Sequence, residues 1–233
     1  MRACCLLSRS AAAMALPAAH RAARRVARVA RLCTVAPSSK SGGFRGGSAS
    51  SSSKSGGIGD SGNATRMASP PKEYRLNVGI TLINKQGLVF CAQRLDDPDG
   101  YWQMPQGGVD IGEDTWEAAL RELREETGVV SVRRLGEVDE WIAYDFPPAM
   151  LEKLSGYWRS FRGQAQKWYL VQLEEESAEA EIDISGLGEA PEFREWRWAP
   201  LQDLPGAVIP FKKEVYEAVV AEFQGLVSSN AEE

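Results

Sequence analysis

Three glutamates, Glu122, Glu125 and Glu126, stand at spacings i, i+3 and i+4 near the end of the run Gly107–Val129, GGVDIGEDTWEAALRELREETGV. On a helix that spacing puts all three carboxylates on one flank. Like charges so placed repel, and the last turn of a helix disfavours anions because of its macrodipole. Arg121 and Arg124 are the only nearby cations to offset them. A chain that accepts both penalties points to a partner that is not part of the chain. A hard divalent cation such as Mg²⁺, held by carboxylate oxygens, has the required chemistry. A solvated acidic helix face would also explain the charges, but it leaves the glycines that frame the run unexplained.

The elements that must position these acids are legible around them. Trp116, Ala119, Leu120 and Leu123 recur with helical period, which predicts a buried stripe on a helix over Asp114–Thr127. Asp114 is its expected N-cap with Glu117 as capping-box partner, and Gly128 suits a left-handed stop. Pro105–Gly108 reads as a loop whose small residues let backbone approach a ligand. Strands are expected over Tyr74–Ile83 and Leu88–Arg94, joined by a turn at Asn84–Gly87, and over Val132–Val138, Trp141–Tyr144, Lys167–Leu173 and Glu195–Trp198. Pro147-Pro148 opens a short helix to about Leu154, and Pro210–Gln224 reads as an amphipathic helix buried through Val215, Tyr216, Val219, Val220 and Phe223. Strands interleaved with helices predict a layered α/β domain.

The run Gly107–Val129 resembles the Nudix box, G-x5-E-x7-R-E-U-x-E-E-x-G-U with U aliphatic, and meets every specified position. The resemblance implies an α/β/α sandwich with a mixed sheet. It also implies a hydrolase of nucleoside diphosphates linked to a further group, dependent on Mg²⁺ or Mn²⁺. Glu122, Glu125, Glu126 and the backbone carbonyl of Gly107 become the expected metal ligands, and Glu125, Glu192 and Arg121 the expected catalytic residues. In the family Glu113 and Arg121 are largely structural or orienting. A bound cation would clamp phosphate oxygens, activate water and neutralise charge developing on phosphorus. A module that only binds nucleotides is the rival from another class, and such modules typically lose one or more of these glutamates.

Flanking segments narrow the likeness. Tyr74-Arg75-x-Asn77-Val78-Gly79, Trp102–Gly108, Gly163–Trp168, Pro191-Glu192-Phe193 and Phe211-Lys212-Lys213-x-Val215-Tyr216 look like one subfamily. It contains plant asymmetrical diadenosine tetraphosphate hydrolases and bacterial RNA 5′-pyrophosphohydrolases, and Trp141–Pro148 looks closest to the plant enzymes. The resemblance implies asymmetric cleavage of diadenosine tetraphosphate to ATP and AMP, with RNA 5′ ends or guanosine tetraphosphate as alternatives. It makes Glu192 a general base or further metal ligand, Arg75 and Lys167 phosphate contacts, and Tyr144 and Phe211 stacking partners for a purine. Each of these also has an ordinary structural reading as a loop acid, a solvated cation or a core aromatic. Trp102, Trp168 and Trp198 are assigned to the core.

Composition divides the 233 residues in two. Residues 1–66 hold eleven Lys or Arg and one acid, Asp60, whereas the remainder holds sixteen basic and thirty-one acidic residues, a net charge of about −15. The arm, residues 1–40, is Arg- and Ser-rich with Arg21, Arg24, Arg25, Arg28 and Arg31 on one helical face, the make-up of an organellar transit peptide. A basic nucleic-acid arm is the competing reading. The plant-like family and the Ser/Gly tract favour a plastid, and the arginine periodicity a mitochondrion. Residues 41–69 read as a Gly/Ser-rich linker, with Met67 a conceivable internal start, and 70–228 as one domain. Nothing in the chain reads as a membrane span, and a monomer is the expected state. The only cysteine of the domain is Cys91 and the only histidine of the chain, His20, lies in the arm. Disulfides, Cys-based zinc and imidazole catalysis are thereby excluded from the domain, and carboxylates must carry the chemistry. The acidic balance offers no broad basic track for RNA.

Overall fold

The computed structural model describes residues 64–187 and 190–231. The arm and most of the linker lie outside the described residues. Nine strands form one sheet: β1 Thr65–Met67, β2 Tyr74–Ile83, β3 Val89–Arg94, β4 Trp102–Gln103, β5 Gln106–Gly108, β6 Val132–Glu137, β7 Trp141–Asp145, β8 Gly163–Leu173 and β9 Phe193–Ala199. Its path is β1-β7-β8-β2-β3-β4, with β5 also on β2, β6 on β8 and β9 on β3. Only β2 and β8 run parallel, in register from Tyr74↔Gly163 to Ile83↔Gln172, so the sheet is mixed. The helices are α1 Thr115–Thr127, α2 Pro148–Leu151, α3 Leu204–Ala207 and α4 Lys213–Asn230.

Strand alternation assigns the two faces. Val78, Ile80 and Leu82 of β2 join Tyr169, Val171 and Leu173 of β8 in a buried cluster with Ala118, Ala119 and Leu123 of α1. On the other face Trp168 meets Tyr216 of α4 edge to face at 5.6 Å, and the Tyr216 hydroxyl accepts the Met104 N–H. Gly79 permits this layer: a Cβ there would lie 2.5 Å from the Trp168 indole. The result is the expected α/β/α sandwich.

Several local expectations are corrected. Pro105–Gly108 is not a loop throughout, because Gln106–Gly108 pair antiparallel with Asn77–Gly79. β8 starts four residues ahead of Lys167, since its polar Gln164 and Gln166 are accommodated by pairing rather than by solvent. α2 stops at Leu151, and α4 follows a 3₁₀ turn over Pro210–Lys212 and extends to Asn230. On α1 the stripe is rotated: Trp116 and Leu120 are half-buried, while Glu122 and Glu126 are buried beside Leu123. Trp102 and Trp198 are likewise only half-buried. The strand Thr65–Met67 falls inside the stretch expected to be linker. Among the described residues no helix is long and apolar enough to cross a membrane.

Candidate active site

α1 is fixed at both ends by its own sequence. Asp114 caps it, accepting from the N–H groups of Trp116 and Glu117 at 2.9 and 3.3 Å. Gly128 terminates it in the left-handed region at φ 78°, donating to Arg124 O. Between these caps Glu122 and Glu126 face β5.

The contact with β5 is close. A Cβ on Gly107 would come within 1.9 Å of the Glu122 carboxyl carbon, and one on Gly108 within 2.0 Å of Arg75 Nη2. Glycine at 107 therefore lets the strand backbone and a box carboxylate share one space. Glu126 is tied to the same strand: its Oε2 accepts the Gln106 N–H at 3.0 Å.

Arg121 organises the acids. Its Nε and Nη2 donate to Glu113 at 2.7 and 2.8 Å, Nη2 also donates to Gly108 O at 2.7 Å, and Nη1 donates to Glu122 at 2.6 Å. Glu125 lies 3.6 Å from the same Nη1. Burial opposes the charged guanidinium, but the hydrogen bond to Glu113 and the charge of Glu122 outweigh it and hold the arginine firmly protonated. Glu113 in turn accepts the Asp110 N–H at 2.8 Å, which closes the turn before α1. Arg121 thus ties Glu113, Gly108 O and Glu122 into one hydrogen-bonded group.

These residues fit a hard cation. The donors are carboxylates and a strand carbonyl, with no nitrogen or sulfur ligand in the group, and the missing Cβ of Gly107 keeps the backbone within reach of Glu122. Among the described residues no three acidic, histidine or cysteine side chains already converge as a ready-made cage, and Arg121 Nη1 lies 2.6 Å from Glu122 and 3.6 Å from Glu125.

Glu192 approaches from β9. A bulge opposite Gln93 and Arg94 skips Arg194, and Glu192 O then accepts the Leu95 N–H at 2.9 Å. The Glu192 carboxylate, buried but for 6 %, is ion-paired with Arg94, which also grips Asp96 at 2.7 and 2.8 Å. Burial works against the Arg94 charge; hydrogen bonding to Asp96 and the charges of Glu192, Asp96 and, least of these, Glu126 more than compensate. Arg94 is therefore the electrostatic link between Glu192 and the box.

The expected substrate contacts divide. Arg75 packs against Gly108 and stacks over Trp158 at 4.5 Å, so it stands beside the box. Phe211 is half-buried and tilted against Tyr144 at 5.8 Å. Tyr144 itself is 2 % exposed, donates to Gln164 at 2.7 Å and also packs against Phe146. It presents no open face to a purine, and burial pushes its hydroxyl well above the usual range. Lys167 donates to Asp139 O at 2.6 Å rather than pointing into the acidic group. Arg94, Trp158, Gln106 and Gln166 were not anticipated. Polar residues at 164 and 166 ahead of the apolar run Trp168–Val171 were the available signal for Gln166; Gln106, Trp158 and Arg94 carried none.

Comparison with known proteins places the chain. The NUDIX domain model matches residues 73–219. An RNA pyrophosphohydrolase of Bradyrhizobium diazoefficiens is 50 % identical over 159 residues, 66 % of this chain and 93 % of that protein. Nudix hydrolase 25 of Arabidopsis thaliana is 48 % identical over 158 residues, 67 % of this chain and 90 % of that one. Nudix hydrolase 26, chloroplastic, of the same plant is 48 % identical over 159 residues, 67 % of this chain and 72 % of that one.

Proposed function

The chain belongs to the NUDIX family, and we propose that within it this protein is a divalent-metal-dependent hydrolase that opens a phosphoanhydride at the triphosphorylated 5′ end of RNA. The observation that carries hydrolysis is the intact acidic group of α1 set against Gly107. What favours RNA ends is the likeness to a protein named for that substrate over 93 % of its length. This moves weight from asymmetric cleavage of diadenosine tetraphosphate, the first expectation, to the alternative. The acidic surface is compatible with RNA, because only the terminal phosphates need cationic contacts.

Glu122, Glu125, Glu126 and the Gly107 carbonyl would hold Mg²⁺ or Mn²⁺. When bound, the cation supplies Lewis-acid stabilisation of phosphate charge and a more acidic water. Arg121 keeps Glu113 and Gly108 O in place and so holds β5 against α1. Arg75, steadied on Trp158, offers its guanidinium to a phosphate. Phe211 provides the aromatic face for the first base, with Tyr144 packed against it. Glu192, on release from Arg94, accepts the proton of the attacking water.

A second substrate class keeps one specific support, the Trp141–Pro148 segment that resembles plant diadenosine tetraphosphate hydrolases. The purified full chain, given Mg²⁺ and equal concentrations of triphosphorylated RNA and diadenosine tetraphosphate, separates the two. Conversion of RNA to 5′-monophosphate ends at the higher kcat/KM is expected; absence of monophosphorylated RNA defeats the proposal. The basic arm is proposed as a plastid leader, in keeping with the chloroplastic relative. Import of the full chain into isolated chloroplasts, with loss of the arm, is the expected result.

A further inference from the structure

A row of four carboxamides runs across the strands that hold the box. Gln166 of β8 donates through Nε2 to Asn77 Oδ1 of β2 and to Gln106 Oε1 of β5, both at 2.8 Å. Gln106 donates through its own Nε2 to Gln103 Oε1 of β4 at 3.1 Å. All four are buried, Gln166 completely. Gln166 donates from β8 to β2 and β5, and Gln106 donates onward from β5 to β4, so the side chain of Gln106 is held from both sides. The backbone N–H of this same Gln106 donates to Glu126 Oε2.

Packing alone does not account for the row. Buried amides cost stability unless all their donors and acceptors are used. Here Gln103 Nε2 and Gln166 Oε1 have no hydrogen-bond partner among the described residues, nor does Trp168 Nε1, two positions from Gln166 on the same strand face. Leucine or methionine would fill the space without that cost. A half-satisfied polar row kept in a core points to a positional role.

We propose that Gln166, Gln106 and Gln103 are positioning residues for Glu126: the row fixes Gln106, Gln106 fixes one oxygen of the Glu126 carboxylate, and the box's affinity for its cation depends on that. This rests on the metal-dependent reading above. Residues of this outer kind typically alter metal affinity by 10- to 100-fold.

The test titrates the full chain with Mn²⁺ alone, without nucleotide, by calorimetry or paramagnetic resonance. Gln166→Met keeps the volume and removes both donations; Gln103→Met removes the last acceptor of the row. Gln166→Met is expected to weaken Mn²⁺ binding roughly 10-fold, and Gln103→Met to weaken it less. The melting temperature without metal should fall, since Gln166→Met leaves the buried acceptors of Asn77 and Gln106 without their donor, but the far-ultraviolet spectrum should be retained and turnover should recover when Mn²⁺ is raised to saturation. That pattern separates positioning from a general loss of structure, and Gln103→Met carries the test if Gln166→Met does not fold. Unchanged Mn²⁺ affinity in the folded variants, with binding abolished by Glu126→Gln, overturns the positioning role and leaves the metal-dependent reading standing. Normal Mn²⁺ binding by Glu126→Gln overturns both.

Discussion

The carboxylate of Glu192 is ion-paired with the guanidinium of Arg94 across the bulged end of β3 and β9. An acid so held is neither a base nor a ligand until the arginine yields, and Arg94 itself is anchored by Asp96 on its far edge. A phosphate of the proposed substrate would compete for Arg94 and so couple its own binding to release of Glu192.

Removing one partner of this pair leaves the other buried without its counter-charge. Arg94→Met is expected to lower stability by about 2–3 kcal/mol, below the ~3–5 kcal/mol typical of deeply buried pairs because Arg94 is 21 % exposed. The double variant Arg94→Met/Glu192→Gln should recover part of that loss. Denaturant unfolding of the three proteins measures it, and equal loss in single and double variants would dismiss the pairing.

On the proposed metal-dependent reading, Glu125→Gln and Glu126→Gln should each reduce turnover on the order of 100-fold or more. Neither change alters side-chain volume, so the circular dichroism spectrum should be retained. Near-normal rates in both variants would refute the assignment of the acidic flank.

Gly107 and Gly108 are adjacent but meet different neighbours. Gly107→Ala drives a methyl into the Glu122 carboxylate that Arg121 holds, and both Mn²⁺ affinity and turnover should collapse. Gly108→Ala meets only the end of the flexible Arg75 side chain, so KM should rise with a smaller change in kcat. Identical kinetics in the two variants would contradict the geometry.

Burial raises the hydroxyl pKa of Tyr144 and of Tyr216 far above the ordinary tyrosine value of 10. Each then binds its proton more tightly when folded than when unfolded. Their stabilising contribution is complete below pH 10 and falls progressively as pH rises beyond it. In an alkaline titration, tyrosinate absorbance should appear in two stages, the second coinciding with loss of the far-ultraviolet signal. Ionisation of all six tyrosines before unfolding would exclude this.

Much of this was legible in the sequence where the signal is local. The α1 caps, the hairpin turn, in which the Asn84 side chain accepts the Gln86 and Leu88 N–H groups, and the i, i+3, i+4 acids depend on residues a few positions apart. The rest is set by pairing between distant strands. Gln106–Gly108 reads as a loop because two glycines have no strand propensity; β2 supplies the partner that makes them a strand. Rotation of the α1 stripe has the same origin, since only the sheet decides which flank is covered, and here it covers two acids. Tyr144 looked like a stacking surface because sequence gives residue type and not exposure. The Arg94–Glu192 pair spans 98 positions and has no motif.

The strand Thr65–Met67 lies ahead of the matched segment 73–219, yet it is hydrogen-bonded along Trp141–Ala143, and Arg66 reaches Glu222 on α4. It therefore sets a limit on the proposed removal of the arm. A peptidase that trims the arm before Ala64 leaves β7 covered. A cut after Met67, or translation begun there, would strip the sheet of its border and offer the open edge of β7 to a second molecule. Size-exclusion chromatography of a chain lacking residues 1–67 beside one lacking residues 1–63 should show self-association only in the shorter protein.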